Sequence, residues 1–248
     1  MHEKKAKIVC LVPSWTETLL EANLNVVGRT RFCIHPAEKI RSIPAVGGTK
    51  NVKIDEIIAL NPDIVILDKE ENKKEMADIL LAQGIRILVS HVSDIDTAAE
   101  FLSVLANQFS NSALEDFADL YRIILTNKNK FSKEKFISGC VLKQNAEFNA
   151  QDLEYVIWKN PFMVIGAGTF ISDVLRLTGI ELNRAEKYPE ISSEELKNKY
   201  CLFSSEPYPF EKDFAALTTE GFNGALVDGE KISWYGIRNI RFLQSCLD

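Results

Sequence analysis

Cys33 and His35 stand two residues apart in GRTRFCIHP and are the chain's one thiol and imidazole pair so close in sequence. On an extended segment that spacing points both side chains the same way. Three chemistries fit: two ligands of a metal site, a thiol nucleophile with a base, or a buried thiol beside a loop histidine. A zinc site needs three or four protein ligands, and no second Cys/His cluster follows in the sequence. A nucleophile needs an orienting third group and an oxyanion hole, which this spacing does not supply. The buried thiol is the simplest reading, with Cys33 and His35 kept as candidate metal ligands. His2 and His91 have no supporting neighbours. Gly166-Ala167-Gly168 follows a strand-like run and precedes a helix-like one, as a dinucleotide fingerprint would, yet the third glycine position is Ile171. A tight strand-to-helix turn explains both glycines. Glu70 and Glu71 in KEENKKE read as a solvated helix start or as acceptors for a ligand, and nothing fixes a carboxylate pair for acid and base work. No residue is therefore expected to be catalytic, and the protein is expected not to be an enzyme.

Aromatic residues carry the stronger signal. Trp15, Phe32, Trp158, Tyr188, Tyr208, Trp234 and Tyr235 all fall where strands are expected to end, together with Thr49, Lys50, Lys159 and Glu206. Rigid rings bury much area at little entropic cost, so such loops suit a large flat ligand. The alternative is that each ring packs beneath its own loop.

The elements that would position these residues alternate. Lys7 to Val12 is a short β-branched run stopped by Pro13, and Ser14-Trp15-Thr16-Glu17 offers an N-cap serine with a glutamate three residues on. Val26-Val27-Gly28 starts a second strand. Ile54 to Leu60 has helical spacing, Asn61-Pro62 stops it, and DIVIL from Asp63 reads as a buried parallel strand. Met76 to Gln83 is a helix closed by Gly84, and Ile85 to Val89 the strand after it. Such alternation implies a parallel sheet covered by helices. From Asp94 to Lys130 only helix is expected, in two pieces broken near Ser110-Asn111-Ser112. Leu114, Phe117, Leu120, Tyr121, Ile124 and Leu125 give the second piece a sustained apolar face, so it reads as a stiff strut. Phe136 to Leu142 and Phe162 to Ile165 are expected as strands. KIVCLVPSWTETLLEANL and IDEIIALNPDIVILDKEEN are echoed by PFMVIGAGTFISDVLRLTGI and ISSEELKNKYCLFSSEPYP, an order that predicts two related α/β lobes with ligand loops at a shared cleft.

A chain of 248 residues with 46% hydrophobic content can build two such cores. A net charge of −6 provides no basic stripe for nucleic acid. Five scattered cysteines read as free thiols of a reducing compartment, and no run reaches the roughly 18 apolar residues of a membrane span. MHEKKAK is basic, but the apolar run behind it ends at Pro13, too short for an export signal. A cytoplasmic location is expected as the sequence stands, and a periplasmic one if a leader was removed.

VPSWTETLL, GRTRFCIHP, VGGTKN, IIALNPDIVILDKEEN, WKNP, YPEIS, SSEPYPF and SWYG together resemble the helical-backbone metal receptor superfamily, the periplasmic binding proteins for cobalamin, ferric siderophores and haem. The resemblance covers almost the whole chain. It implies two Rossmann-like lobes with parallel sheets (residues 1–109 and 132–248) joined by one long backbone helix (110–131), and a monomer that holds a corrinoid or metal chelate without a required cofactor. In cobalamin-binding members the loop of Cys33 and His35, the turn of Thr49 and Lys50, Tyr188, and the loop from Asp228 to Tyr235 would line the cleft. It further implies an ABC importer permease as partner. Glu56 and Glu195 lie where such receptors dock, and each is equally a plain helix-start carboxylate. The FCIHP, KEEN and SSEPYPF loops differ from those of cobalamin receptors, which leaves a cytoplasmic corrinoid- or metal-processing enzyme, or a ligand sensor, as the alternative.

Overall fold

The computed structural model describes residues 5–248, so His2 lies outside the described residues. The chain forms two compact units. The first comprises the residues up to Val92, Asp96–Arg122 and Tyr235–Arg238; the second comprises Ser93–Ile95, Ile123–Trp234 and Asn239–Asp248.

The first unit begins with β1 (Ile8–Cys10), α1 (Pro13–Glu21), β2 (Val26–Arg29), α2 (Ala37–Ile40), α3 (Ile54–Ala59) and β3 (Ile64–Asp68). It continues through α4 (Lys74–Ala82), β4 (Arg86–Ser90) and most of α5 (Ile95–Phe109). The next helix, α6 (Ser112–Thr126), contains the division between the units, at Arg122 and Ile123. The four strands lie in the order β2-β1-β3-β4, all parallel. Burial on both faces explains why β1 and β3 have no exposed position and read as unbroken apolar runs. One side of the sheet packs Val9, Leu11, Val65 and Leu67 against Ile57, Met76 and Leu80 of the helices.

Helix α1 corrects one expectation. Ser14 does not cap it; Val12 holds the extended cap position and Pro13 opens the helix. Proline has no N–H to leave unsatisfied and its φ is already helical, so it begins a helix without a side-chain cap. Gly84 closes α4 as expected, at φ +74°.

The second unit contains α7 (Lys133–Cys140), β5 (Val141–Gln144), β6 (Leu153–Trp158), β7 (Phe162–Val164), α8 (Phe170–Arg176), β8 (Glu190–Ile191) and α9 (Ser193–Lys197). Then come β9 (Tyr200–Ser204), α10 (Phe214–Thr219), β10 (Asn223–Val227), α11 (Gly229–Ser233) and α12 (Ile237–Ser245), which starts in the first unit and ends in the second. The expected strand from Phe136 is instead helix α7. Ser132 caps it by accepting from the Lys135 N–H, and Phe136 and Cys140 bury the same helical face.

The second sheet also departs from the expected parallel arrangement. Its order is β5-β10-β9-β6-β7-β8, and only the β10-β9 and β9-β6 pairings are parallel. Between β6 and β7 stand only Lys159, Asn160 and Pro161, with Asn160 at φ +65°. A link that short makes a hairpin, because a parallel crossover needs a dozen or more residues. The echo of β1 in β7 therefore does not hold as topology: the strand that flanks β9 in parallel on the side away from β10 is β6, not β7. The second echo does hold. In each unit a short helix, a strand, a helix and a strand follow in that order (α3-β3-α4-β4 and α9-β9-α10-β10), with the two strands paired in parallel. Gly84 and Gly221 close α4 and α10 with the same left-handed turn, at φ +74° and +91°.

Candidate functional site

Strands β1, β2, β3 and β4 all end on one edge of the first sheet, the edge where open parallel sheets bind ligands. The centre of that edge is Asp68, the last residue of β3, which sequence reading passed over. It is buried, and its carboxylate accepts from the N–H groups of Glu70 (2.8 Å) and Glu71 (3.3 Å) and from the Ser90 hydroxyl (2.7 Å). The Asn72 side chain closes the turn, accepting from the Asp68 N–H at 2.8 Å and donating to the Thr49 carbonyl at 2.9 Å. Thr49 thus ties the GGTK turn to the KEEN loop. Lys50 reaches the same loop, its Nζ donating to the Glu70 carbonyl at 2.5 Å. Glu70 in turn lies 3.7 Å from His91 Nε2.

Trp15 is not a wall. It is fully buried in α1, donates from Nε1 to Ser90 Oγ at 3.0 Å, and packs on Phe101 and Tyr235 with centroids 5.1 and 4.7 Å away. Ser90, at the end of β4, receives that bond and passes one to Asp68, so the tryptophan belongs to the support of the loops. Tyr235 is buried as well. Its hydroxyl donates to Glu71 at 3.5 Å, and burial beside the Glu71 and Asp68 charges holds its phenol well above the ordinary range.

The structure parts Cys33 from His35. The Cys33 thiol is buried between the hydroxyls of Thr16 (3.2 Å) and Thr30 (3.1 Å), and that burial raises it above the ordinary thiol range. His35 is half-buried on the following turn, before the cis peptide to Pro36. The thiol is thus sealed from solvent while the imidazole is partly exposed. Among the described residues no group of three or more His, Cys, Asp or Glu side chains could hold a metal ion. Phe32, by contrast, is 46% exposed, with the Arg31 guanidinium 4.8 Å over its ring.

In the second unit the end of β6 and the loops after β6, β9 and β10 gather most of the other candidates, and Tyr188 lies just before β8. Trp158 is 41% exposed and meets Tyr208 edge to face at 5.6 Å. Tyr208 donates to Asp213 at 2.5 Å, and Lys159 lies 3.7 Å from the same carboxylate. Glu206 is drawn inward: the Ser233 hydroxyl and Trp234 Nε1 (2.9 Å) donate to it. Burial raises its carboxyl above the usual range despite those two bonds, and the neighbouring Glu230 and Asp228 charges push the same way. Trp234 is thereby buried, while Tyr188 stays exposed. The Gly166 turn has a steric cause, since a Cβ there would stand 1.9 Å from the Glu186 carbonyl; Gly168 adopts φ +73°. Backbone, not a dinucleotide, fills the space beside Gly166.

Residues 8–113 match the periplasmic binding protein family. The vitamin B12-binding protein of Salmonella typhimurium is 22% identical over 205 residues, covering 77% of this chain and 68% of that protein. That of Yersinia pestis is 29% identical over 102 residues, covering 40% and 36%. Among solved structures, the periplasmic vitamin B12 binding protein of Vibrio cholerae superposes with a TM-score of 0.70 at 19% identity, over 98% of this chain and 95% of that one. The apo periplasmic heme-binding protein of Roseiflexus sp. RS-1 gives 0.71 at 15% identity, over 96% and 95%. Residues 8–113 thus match this family, and over nearly its whole length the chain shares the fold of these solved periplasmic binding proteins.

The polar groups of these loops hold one another in place. Among the described residues no helix is long and apolar enough to cross a membrane. The two candidate docking carboxylates each face a cation of their own unit. Glu56 accepts from Lys53 at 2.7 Å, and Glu195 accepts from Arg184 at 2.5 Å, an arginine that also grips the buried Glu154 at 2.8 and 3.0 Å.

Proposed function

We propose that this periplasmic-binding-protein-type chain is the ligand-binding component of an ABC importer and that it holds a corrinoid or a metal chelate of the haem or siderophore type at its strand-end loops. The observation that carries the reading is the exposure of three rings: Phe32 on the first unit's strand-end edge, beside loops whose polar side chains brace one another, and Trp158 at the end of β6, packed on Tyr208, and Tyr188 before β8 in the second unit. Braced rings on rigid loops favour binding with little ordering cost. Phe32, Thr49, Lys50, His35, Glu70, Glu71, Trp158, Lys159, Tyr188 and Tyr208 are the proposed contacts. Trp15, Cys33, Glu206, Trp234 and Tyr235 act one step behind them, as supports.

The protein is not an enzyme on this reading. The alternative of a processing activity at Cys33 finds no support, because a thiolate is the reactive form and burial disfavours it here. The proposed partner is a permease, with Glu56 and Glu195 as docking carboxylates that must first release Lys53 and Arg184. The relatives with solved structures named above are periplasmic, and the proposed compartment is the same.

The test is the melting temperature of the purified protein with cyanocobalamin, ferric protoporphyrin IX and a set of ferric siderophores. A ligand that binds only the native state at a hundred times its Kd adds about 2.7 kcal/mol of stability. A rise with one class supports the receptor reading, and no rise with any of them defeats it.

A further inference from the structure

The first unit's strand-end edge presents two cations that make no direct ion pair with any described carboxylate. The loops after β2, after Val46 and after β3 are bonded into one surface: Arg31 N–H donates to the Gly47 carbonyl at 2.7 Å, Asn72 binds the Thr49 carbonyl, and Lys50 Nζ binds the Glu70 carbonyl. On it stand the Arg31 guanidinium, packed over the exposed Phe32 ring, and the Lys50 ammonium. Among the described residues neither cation has a carboxylate within 4.0 Å, although the acidic neighbours are close. Those acids are engaged elsewhere: Asp68 with Ser90 and two backbone N–H groups, Glu70 with His91, and Glu71 with Tyr235. Both cations are also fixed in place. A Cβ on Gly48 would sit 3.3 Å from the Phe32 ring and 3.6 Å from Arg31 Nε, so the ring and the guanidinium lie down on the glycine backbone. Lys50 has one N–H on a carbonyl and two left for an outside acceptor. The second unit differs, since Lys159 faces Asp213 and Arg184 faces Glu154 and Glu195.

A pair of held cations beside an exposed ring is matched by an apolar body whose rim bears anionic oxygen. We propose that Arg31 and Lys50 recognise ionised carboxylates on the rim of a flat chelate, with the chelate face against Phe32. This rests on the receptor reading above and narrows it: the ligand is an acid-bearing tetrapyrrole-type chelate rather than a corrinoid whose rim is amide.

The experiment is an absorbance titration of the full chain with ferric protoporphyrin IX, its dimethyl ester in the same cosolvent, cyanocobalamin and a set of ferric siderophores, repeated on the variant Arg31→Gln/Lys50→Gln. A hydrogen bond to a charged group contributes roughly ten- to a hundredfold in affinity. The free acid is expected to bind at least about tenfold more tightly than the ester, and the double variant to lose that preference. Raising the salt concentration weakens the acid more than the ester. Both side chains are exposed, so an unchanged melting temperature identifies a folded variant. Equal affinity for acid and ester, or an undiminished affinity for the acid in the folded variant, overturns the proposal. Binding of cyanocobalamin or a ferric siderophore, with neither porphyrin bound, overturns it and leaves the receptor reading standing. Silence across all of these ligands overturns both.

Discussion

The β3 end of the first unit and the β9 end of the second occupy the same step of the same helix-strand-helix-strand order, yet they solve the loop that follows in opposite ways. The first places a carboxylate, Asp68, under its loop and satisfies it with a hydroxyl and two N–H groups. The second places a hydroxyl there, Ser204, which takes bonds from the Tyr155 hydroxyl at 3.1 Å and the Glu206 N–H at 3.4 Å. Its carboxylate comes two residues later, as Glu206, and folds back under Ser233 and Trp234. The lesson is that a repeated backbone plan does not repeat its electrostatics. An inward acid at the strand end leaves the first unit free to expose cations above it, while the second unit pairs its loop cations with acids on its own surface.

Substitutions at these two ends should separate them. Asp68→Ala strips partners from Ser90 and two N–H groups and should cost about 3 kcal/mol, read by urea unfolding. Nearly as large, about 2 to 3 kcal/mol, is the expected loss from Arg238→Ala, which leaves the Glu17 carboxylate without its two 2.8 Å partners in the first unit. Ser204→Ala removes only neutral hydrogen bonds and should cost about 1 kcal/mol. A loss at Ser204 equal to that at Asp68 would erase the contrast between the two ends.

The smallest effect is a pH slope. Because the carboxyl of Glu206 is raised in the folded chain, the native state holds this proton more tightly than the unfolded one. Stability from this group is therefore greatest below the ordinary carboxylate range and falls as pH rises through the folded value. Glu206→Gln should flatten that fall in melting curves taken across the range, and an unchanged slope would show that the burial of Glu206 does not perturb its titration.

Much of the plan was legible because it rests on local rules. Pro62 and Gly84 punctuate the first unit, DIVILD is apolar enough to be a strand buried on both faces, and the Ser110-Asn111-Ser112 break does separate two helices, α5 and α6. The failures came where neighbours in space decide. Phe136 to Leu142 is apolar enough for a strand, but the Ser132 cap and the i, i+4 burial of Phe136 and Cys140 make most of it helix. Trp15 and Trp234 looked like loop rings to be offered to a ligand. Ser90, seventy-five residues from Trp15, and Glu206, twenty-eight from Trp234, bind their indole N–H groups and keep both rings inside.

Residue type and order thus determined the alternation of strands and helices and the loops on which a ligand site had to be sought, since hydrophobic period, proline and glycine act over a few residues. Only the tertiary structure decided which side chains on those loops are supports and which are offered outward. A thiol, a carboxylate or an indole is exposed or buried according to partners that are distant in the chain. The same physics left Arg31 and Lys50 with no carboxylate within 4.0 Å among the described residues, while Asp68, Glu70 and Glu71 beside them were already engaged.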